Sequence, residues 1–158
     1  MSNLDGLDRR ILLLFAQEPK AGVLEASRRL RVARGTVQAR LDRLESSGVL
    51  TGWAPTLDPA ALGFPVSAFA TLEIAQAGGH QPVADHLRAI PEVLEAHTIT
   101  GSGDLLLRIV ARSNADLQRV IDSIVRADGI RRSSSVIALE TQLAYRVLPL
   151  VEQAAREG

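Results

Sequence analysis

The chain has 158 residues, 46 % of them apolar and 23 % charged, with 18 Lys/Arg against 18 Asp/Glu and no cysteine. That composition is enough to bury a core as one domain or two small ones, and it excludes disulfides, thiolate metal sites and a cysteine nucleophile. A zero net charge by itself argues against a nucleic-acid binder. A local patch remains: between residues 24 and 53 stand Arg28, Arg29, Arg31, Arg34, Arg40 and Arg43 against only Glu25, Asp42 and Glu45. No apolar run is long enough to cross a membrane, and MSNLDGLDRR lacks the apolar core of a signal peptide, so a cytoplasmic protein without membrane contact is expected.

In LDGLDRRILLLFAQE, Leu4, Leu7, Ile11, Leu14 and Phe15 recur at helical spacing, and Asp5 and Asp8 stand near the start, where the helix dipole favours acids. VLEASRRLR predicts a short second helix with Ala26, Ser27 and Leu30 inward. After the turn VARG, the run TVQARLDRLESSG places Val37, Leu41 and Leu44 on one face and ends at Gly48. Two helices joined by so short a turn, the second with a polar and basic outer face, form the helix-turn-helix pattern. VLTGWAPTL is expected as a small hairpin or wing, with Trp53 packed in it. DPAALG closes the unit, with Asp58 as cap, Pro59 at the first helical position and Gly63 past the end.

At residue 65 the period changes from 3.6 to 2. PVSAFATLEIA alternates as a strand with one buried face. QPVADHLRAI is a helix with Val83, Leu87 and Ile90 inward, and VLEAHTIT and LLLRIVA are strands around the loop TGSGD. SNADLQRVIDSIVRADG is a helix with Leu117, Ile121 and Ile124 inward, and RSSSVIALETQL is a last strand. The order βαββαβ is the ferredoxin-like unit. The fold class is therefore α+β, with a winged helix-turn-helix over 1–62 and a ferredoxin-like domain over 63–158. Helices cover one face of such a sheet, and a second copy of the chain is the simplest cover for the other.

Two sites follow from the residue types. On the third helix Arg34, Thr36 and Gln38 are placed to reach base edges, with Gly35 among them at the DNA-facing start of the helix and Arg28, Arg40 and Arg43 on phosphates. A solvated face, with Arg40 or Arg43 paired to Asp42, Glu45 or Glu25, is the structural alternative. In the loop, Thr100, Gly101, Ser102, Gly103 and Asp104 form a turn whose glycines permit positive φ. Its backbone N–H groups suit a carboxylate and Asp104 suits an ammonium, although simple turn geometry would use the same residues. Ser133, Ser134 and Ser135 offer hydroxyls, and His97 stands near the loop in sequence. His80, His86 and His97 have no metal-ligand spacing and no GxSxG elbow occurs, so neither a metal, a cofactor nor an enzyme is expected.

In LDGLDRRIL, in GTVQARLDRLESSGVLTGW with LDPAALG behind it, and in TGSGDLLL, the chain resembles the Lrp/AsnC, or feast/famine, transcription regulators over nearly its whole length. The resemblance implies a winged helix-turn-helix on double-stranded DNA and a RAM-type domain that dimerises and often builds octamers. It also implies an amino-acid effector held by the TGSGD loop and completed by hydroxyls such as Ser133–Ser135. Three positions depart from the family pattern: Arg31 stands where glycine is usual, Ala33 where a capping serine or threonine is usual, and Leu105 where an aromatic residue often follows the aspartate. The alternative function is an effector-binding oligomeric scaffold with weakened DNA recognition.

Overall fold

The computed structural model describes residues 4–75 and 81–154. The chain divides into two compact units, Met1–Thr56 with Leu143–Gly158, and Leu57–Gln142. The C-terminal stretch thus groups with the first unit and not with the ferredoxin-like domain expected over 63–158, and the division falls after Thr56 instead of after residue 62.

The first unit contains α1 (Gly6–Gln17), α2 (Val23–Leu30) and α3 (Arg34–Ser46). A capping box starts α1: Asp5 accepts from the Leu7 and Asp8 N–H groups, and Asp8 accepts from the Asp5 N–H at 3.0 Å. The expected apolar positions meet in one core of Ile11, Phe15, Ala26, Leu30, Val37 and Leu41. The turn from α2 to α3 runs through Arg31 at φ 57°, the one non-glycine residue with positive φ among the described residues. Ala33 then stands at the N-cap of α3 with extended backbone and no side-chain hydrogen bond.

Residues 49–57 form no strand, so the expected hairpin is absent; Trp53 instead turns its ring edge-on to Phe15, with centroids 5.2 Å apart, and donates to Glu45 at 2.6 Å. A sixth helix, which the sequence reading did not anticipate, runs over Leu148–Ala154 and packs against α1.

In the second unit DPAALG makes a single helical turn: Asp58 accepts from the Ala60 N–H at 3.0 Å, and the Phe64 and Gly63 N–H groups bond back to Pro59 and Ala60. Four strands follow, β1 (Val66–Ile74), β2 (Val93–Thr98), β3 (Leu105–Ala111) and β4 (Ile130–Ala138), all antiparallel in the order β2-β3-β1-β4. Helices α4 (Gln81–Arg88) and α5 (Asn114–Val125) cover one face. Ala68, Ala70, Leu72 and Ile74 of β1 join Val83, Leu87, Leu117 and Ile124 in the core. The other face carries Phe69, Thr71 and Glu73 on β1, with Val136, Ser134 and Arg132 opposite them on β4. Phe69 and Val136 are exposed there.

Candidate functional site

The recognition surface is built by α3. Burial of Val37, Leu41 and Leu44 leaves Arg34, Gly35, Thr36 and Gln38 exposed on the opposite side of its first turns, as the 3.6-residue period requires. The structure divides the arginines of this unit into two groups. Arg40 binds both Asp5 and Asp8, the latter at 3.1 Å, and Arg43 binds Asp8. Asp8 is fully buried, so two guanidinium groups and a capping bond compensate one desolvated carboxylate. The Asp8 N–H and the Arg40 guanidinium hold the Asp5 carboxyl down at about 2, against an ordinary 3.8, and Asp5 and then Asp8 raise Arg40 in return.

Arg40 and Arg43, expected on phosphates, therefore serve first as internal ties between α1 and α3. Their partners are not Asp42, Glu45 or Glu25 but two acids more than thirty positions earlier in the chain. Gln38 donates to Asp42 at 2.7 Å. Arg29 is held by Glu18 and Glu25. Among the described residues Arg28 in the last turn of α2, Arg31 in the α2–α3 turn and Arg34 in the first turn of α3 have no acidic partner.

The loop TGSGD joins β2 to β3. Gly101 and Gly103 have φ of 109° and 132°. A Cβ on Gly103 would collide with Thr71 Cγ2, so this glycine is required by close approach to β1 as well as by its backbone conformation. Asp104 fastens the loop to β1: its Oδ2 accepts from the Ile74 N–H at 2.6 Å and its own N–H donates to the Leu72 carbonyl at 2.8 Å. The Gly103 N–H donates to the Gly101 carbonyl at 3.1 Å. Two of the N–H groups expected to receive a carboxylate are thus already used.

A cavity of about 270 Å³ opens here, lined by Glu73, Ile74, Gly101, Gly103, Asp104 and Arg131. Glu73 and Arg131 were not anticipated. Arg131 sits where the β1–β4 register slips, since Glu73 pairs with Arg132 and Ile74 with Ile130. No sequence pattern marks such a bulge.

The remaining expected residues are not gathered at this cavity. His97 pairs with Leu106 on the outer strand β2, and the row continues through Thr71 to Ser134 on the opposite edge. Three strand spacings, about 14 Å, separate His97 from the serines. His97 is exposed and meets Glu95 at 3.3 Å. Ser134 lies on the open face, whereas Ser133 and Ser135 pair with Leu72 and Ala70, which face the helices. Thr100 and Ser102 are exposed on the loop. His86 bonds the Ser123 carbonyl at 2.8 Å, and His80 lies outside the described residues. Among the described residues no group of three or more His, Asp or Glu side chains could hold a metal ion, and no helix is long and apolar enough to cross a membrane.

Residues 4–51 match the family model of the winged helix-turn-helix DNA-binding domain, and residues 67–148 match that of the Lrp/AsnC ligand binding domain. Together with the geometry above, they define a DNA-binding transcriptional regulator with a ligand-binding domain. The chain belongs to the Lrp/AsnC family. It is 33 % identical to the HTH-type transcriptional regulator Rv2324 of Mycobacterium tuberculosis, over 88 % of this chain and 94 % of that one. It is 29 % identical to the HTH-type transcriptional regulator FL11 of Pyrococcus horikoshii, over 93 % of this chain and 97 % of that one. Among solved structures, AsnC of E. coli superposes with a TM-score of 0.84 at 26 % identity, over 92 % of this chain and 99 % of that one. A transcriptional regulator from Neisseria meningitidis in complex with L-methionine also gives 0.84 at 26 % identity, over 95 % and 99 %.

Proposed function

We propose that this chain is a cytoplasmic, homo-oligomeric regulator, without catalytic activity, that binds a pseudo-palindromic DNA site and responds to an amino acid. The observation that carries the DNA reading is the exposed start of α3, where Arg31 and Arg34, without an acidic partner among the described residues, flank the exposed Gly35 and Thr36. A helix of this kind fits the major groove, and a two-fold dimer presents two of them to successive turns of the duplex. The open sheet face, with Phe69 and Val136 exposed, supports pairing with a second copy, and larger rings such as octamers extend the same logic. The glycine-loop cavity and the L-methionine complex of the Neisseria regulator support an amino-acid effector. The effector acts by linkage: it prefers one quaternary arrangement, and that arrangement sets the spacing of the recognition helices.

Gel shifts with duplexes selected by the protein from a random pool, across a salt series, test this reading. Wild type gives sequence-dependent binding that weakens with salt, and Arg34→Glu abolishes it. Absence of binding by wild type at low salt refutes the DNA role.

Three observations favour a second reading, an effector-binding scaffold with weak DNA recognition: Arg40 and Arg43 are neutralised by Asp5 and Asp8, the α2–α3 turn is strained at Arg31, and α3 is uncapped at Ala33. Amino-acid binding with no DNA affinity distinguishes it.

A further inference from the structure

We propose that Arg131 is the specificity-determining residue of the effector cleft, the cation that takes the effector's carboxylate. The inference rests on the amino-acid reading of that cleft and deepens it. Its first support is a count of donors. Of the groups lining the cavity, the Ile74 N–H is bonded to Asp104 Oδ2, the Gly103 N–H to the Gly101 carbonyl and the Asp104 N–H to the Leu72 carbonyl. Beside these, the Gly101 N–H and the Arg131 guanidinium line the cavity with no bonded partner among the described residues.

The second support is charge. Without Arg131 the charged side chains lining the cavity are Glu73 and Asp104, both acids, which repel a carboxylate. Arg131 makes no ion pair among the described residues, whereas Arg132 lies 3.9 Å from Glu73. The third is position. Arg131 is the extra residue of the bulge between the Glu73–Arg132 and Ile74–Ile130 pairs, and a bulge re-aims the side chain it carries. A guanidinium offers two parallel N–H groups to a carboxylate, and the remaining Asp104 oxygen and Glu73 then face an ammonium. The cleft accordingly selects zwitterions and rejects amines and amides of the same side chain.

The test uses the full-length protein. Thermal shift against each of the twenty L-amino acids finds the binder, and calorimetry compares that amino acid and its carboxamide on wild type, Arg131→Gln and Arg131→Lys. The expected result is a loss of about tenfold or more in affinity for the amino acid with Arg131→Gln and partial recovery with Arg131→Lys, while the carboxamide binds wild type and Arg131→Gln equally weakly. Affinity for the amino acid unchanged by Arg131→Gln overturns the assignment of Arg131 and leaves the effector reading standing. If no amino acid stabilises the wild type, the effector reading itself fails and the assignment of Arg131 with it.

Discussion

Replacing Ala33 by serine should stabilise the DNA-binding unit. Ala33 already has the N-cap backbone, φ −61° and ψ 145°, and its carbonyl accepts from the Thr36 and Val37 N–H groups at 3.0 and 3.2 Å, but no side chain meets the first N–H groups of α3. A serine Oγ would accept from the Gly35 or Thr36 N–H, as Ser113 accepts from Asp116 at 3.1 Å at the start of α5. Such a bond contributes about 1 kcal/mol. Arg31→Gly, two residues earlier, relieves a left-handed φ that costs an L-residue about 1–2 kcal/mol, partly offset by about 0.4–1 kcal/mol of added freedom in the unfolded chain. Trp53 is the single tryptophan and packs on Phe15 within this unit, so its fluorescence follows unfolding there. With a urea slope of about 1–2 kcal/mol/M, Ala33→Ser should raise the midpoint by about 0.5–1 M. A midpoint moved by less than about 0.2 M at unchanged slope would refute the capping argument.

Asp8→Asn keeps an acceptor for the Asp5 N–H but removes the charge between Arg40 and Arg43. Because both arginines retain access to water and Arg40 keeps Asp5, the loss should be about 2–3 kcal/mol, below the usual cost of breaking a fully buried pair, and the same urea titration reads it. Gly103→Ala meets Thr71 and a φ of 132°, whereas Gly101→Ala meets only its φ of 109° with open space around it. Thermal melts followed by circular dichroism should therefore show the larger loss for Gly103→Ala, by about 1 kcal/mol or more. Acid should weaken the first unit through Asp5. Its folded carboxyl titrates near 2 and the unfolded one near 3.8, so its contribution is complete above the higher value and is lost as pH falls through the lower. Asp5→Asn should flatten the Trp53-monitored stability profile across that interval.

Local periodicity carried most of the architecture. Val37, Leu41 and Leu44 announced the buried face of α3, and the alternation from Val66 to Ile74 announced β1, because each pattern is set by residues close in sequence. The glycines of TGSGD were legible as a turn for the same reason. What the sequence did not disclose depends on distant partners. The attachment of Arg40 and Arg43 to Asp5 and Asp8 joins residues 32 to 35 positions apart, and nothing in either segment alone chooses those acids over Asp42 or Glu45. The bulge at Arg131 is a property of two strands in register, and it brings into the cleft a cation that strand periodicity would assign to a solvated edge. His97 was drawn to the loop by nearness in sequence, although β2 carries it to the far edge of the sheet from the serines. The hairpin expected over residues 49–57 does not form because Gly52 and Pro55 interrupt a segment whose Trp53 finds its partner in Phe15 instead of across a ladder.

The central claim, a DNA-binding regulator whose recognition face is the start of α3, is tested most directly by selecting duplexes from a random pool with the wild-type protein and measuring their affinity by fluorescence anisotropy over a range of salt. The account predicts an enriched two-fold symmetric sequence, a linear fall of log affinity with log salt, a slope shallower by about 1 for Arg28→Ala, and no binding by Arg34→Glu. Absence of any enriched sequence, or equal affinity of wild type and Arg34→Glu for the selected DNA, would contradict it.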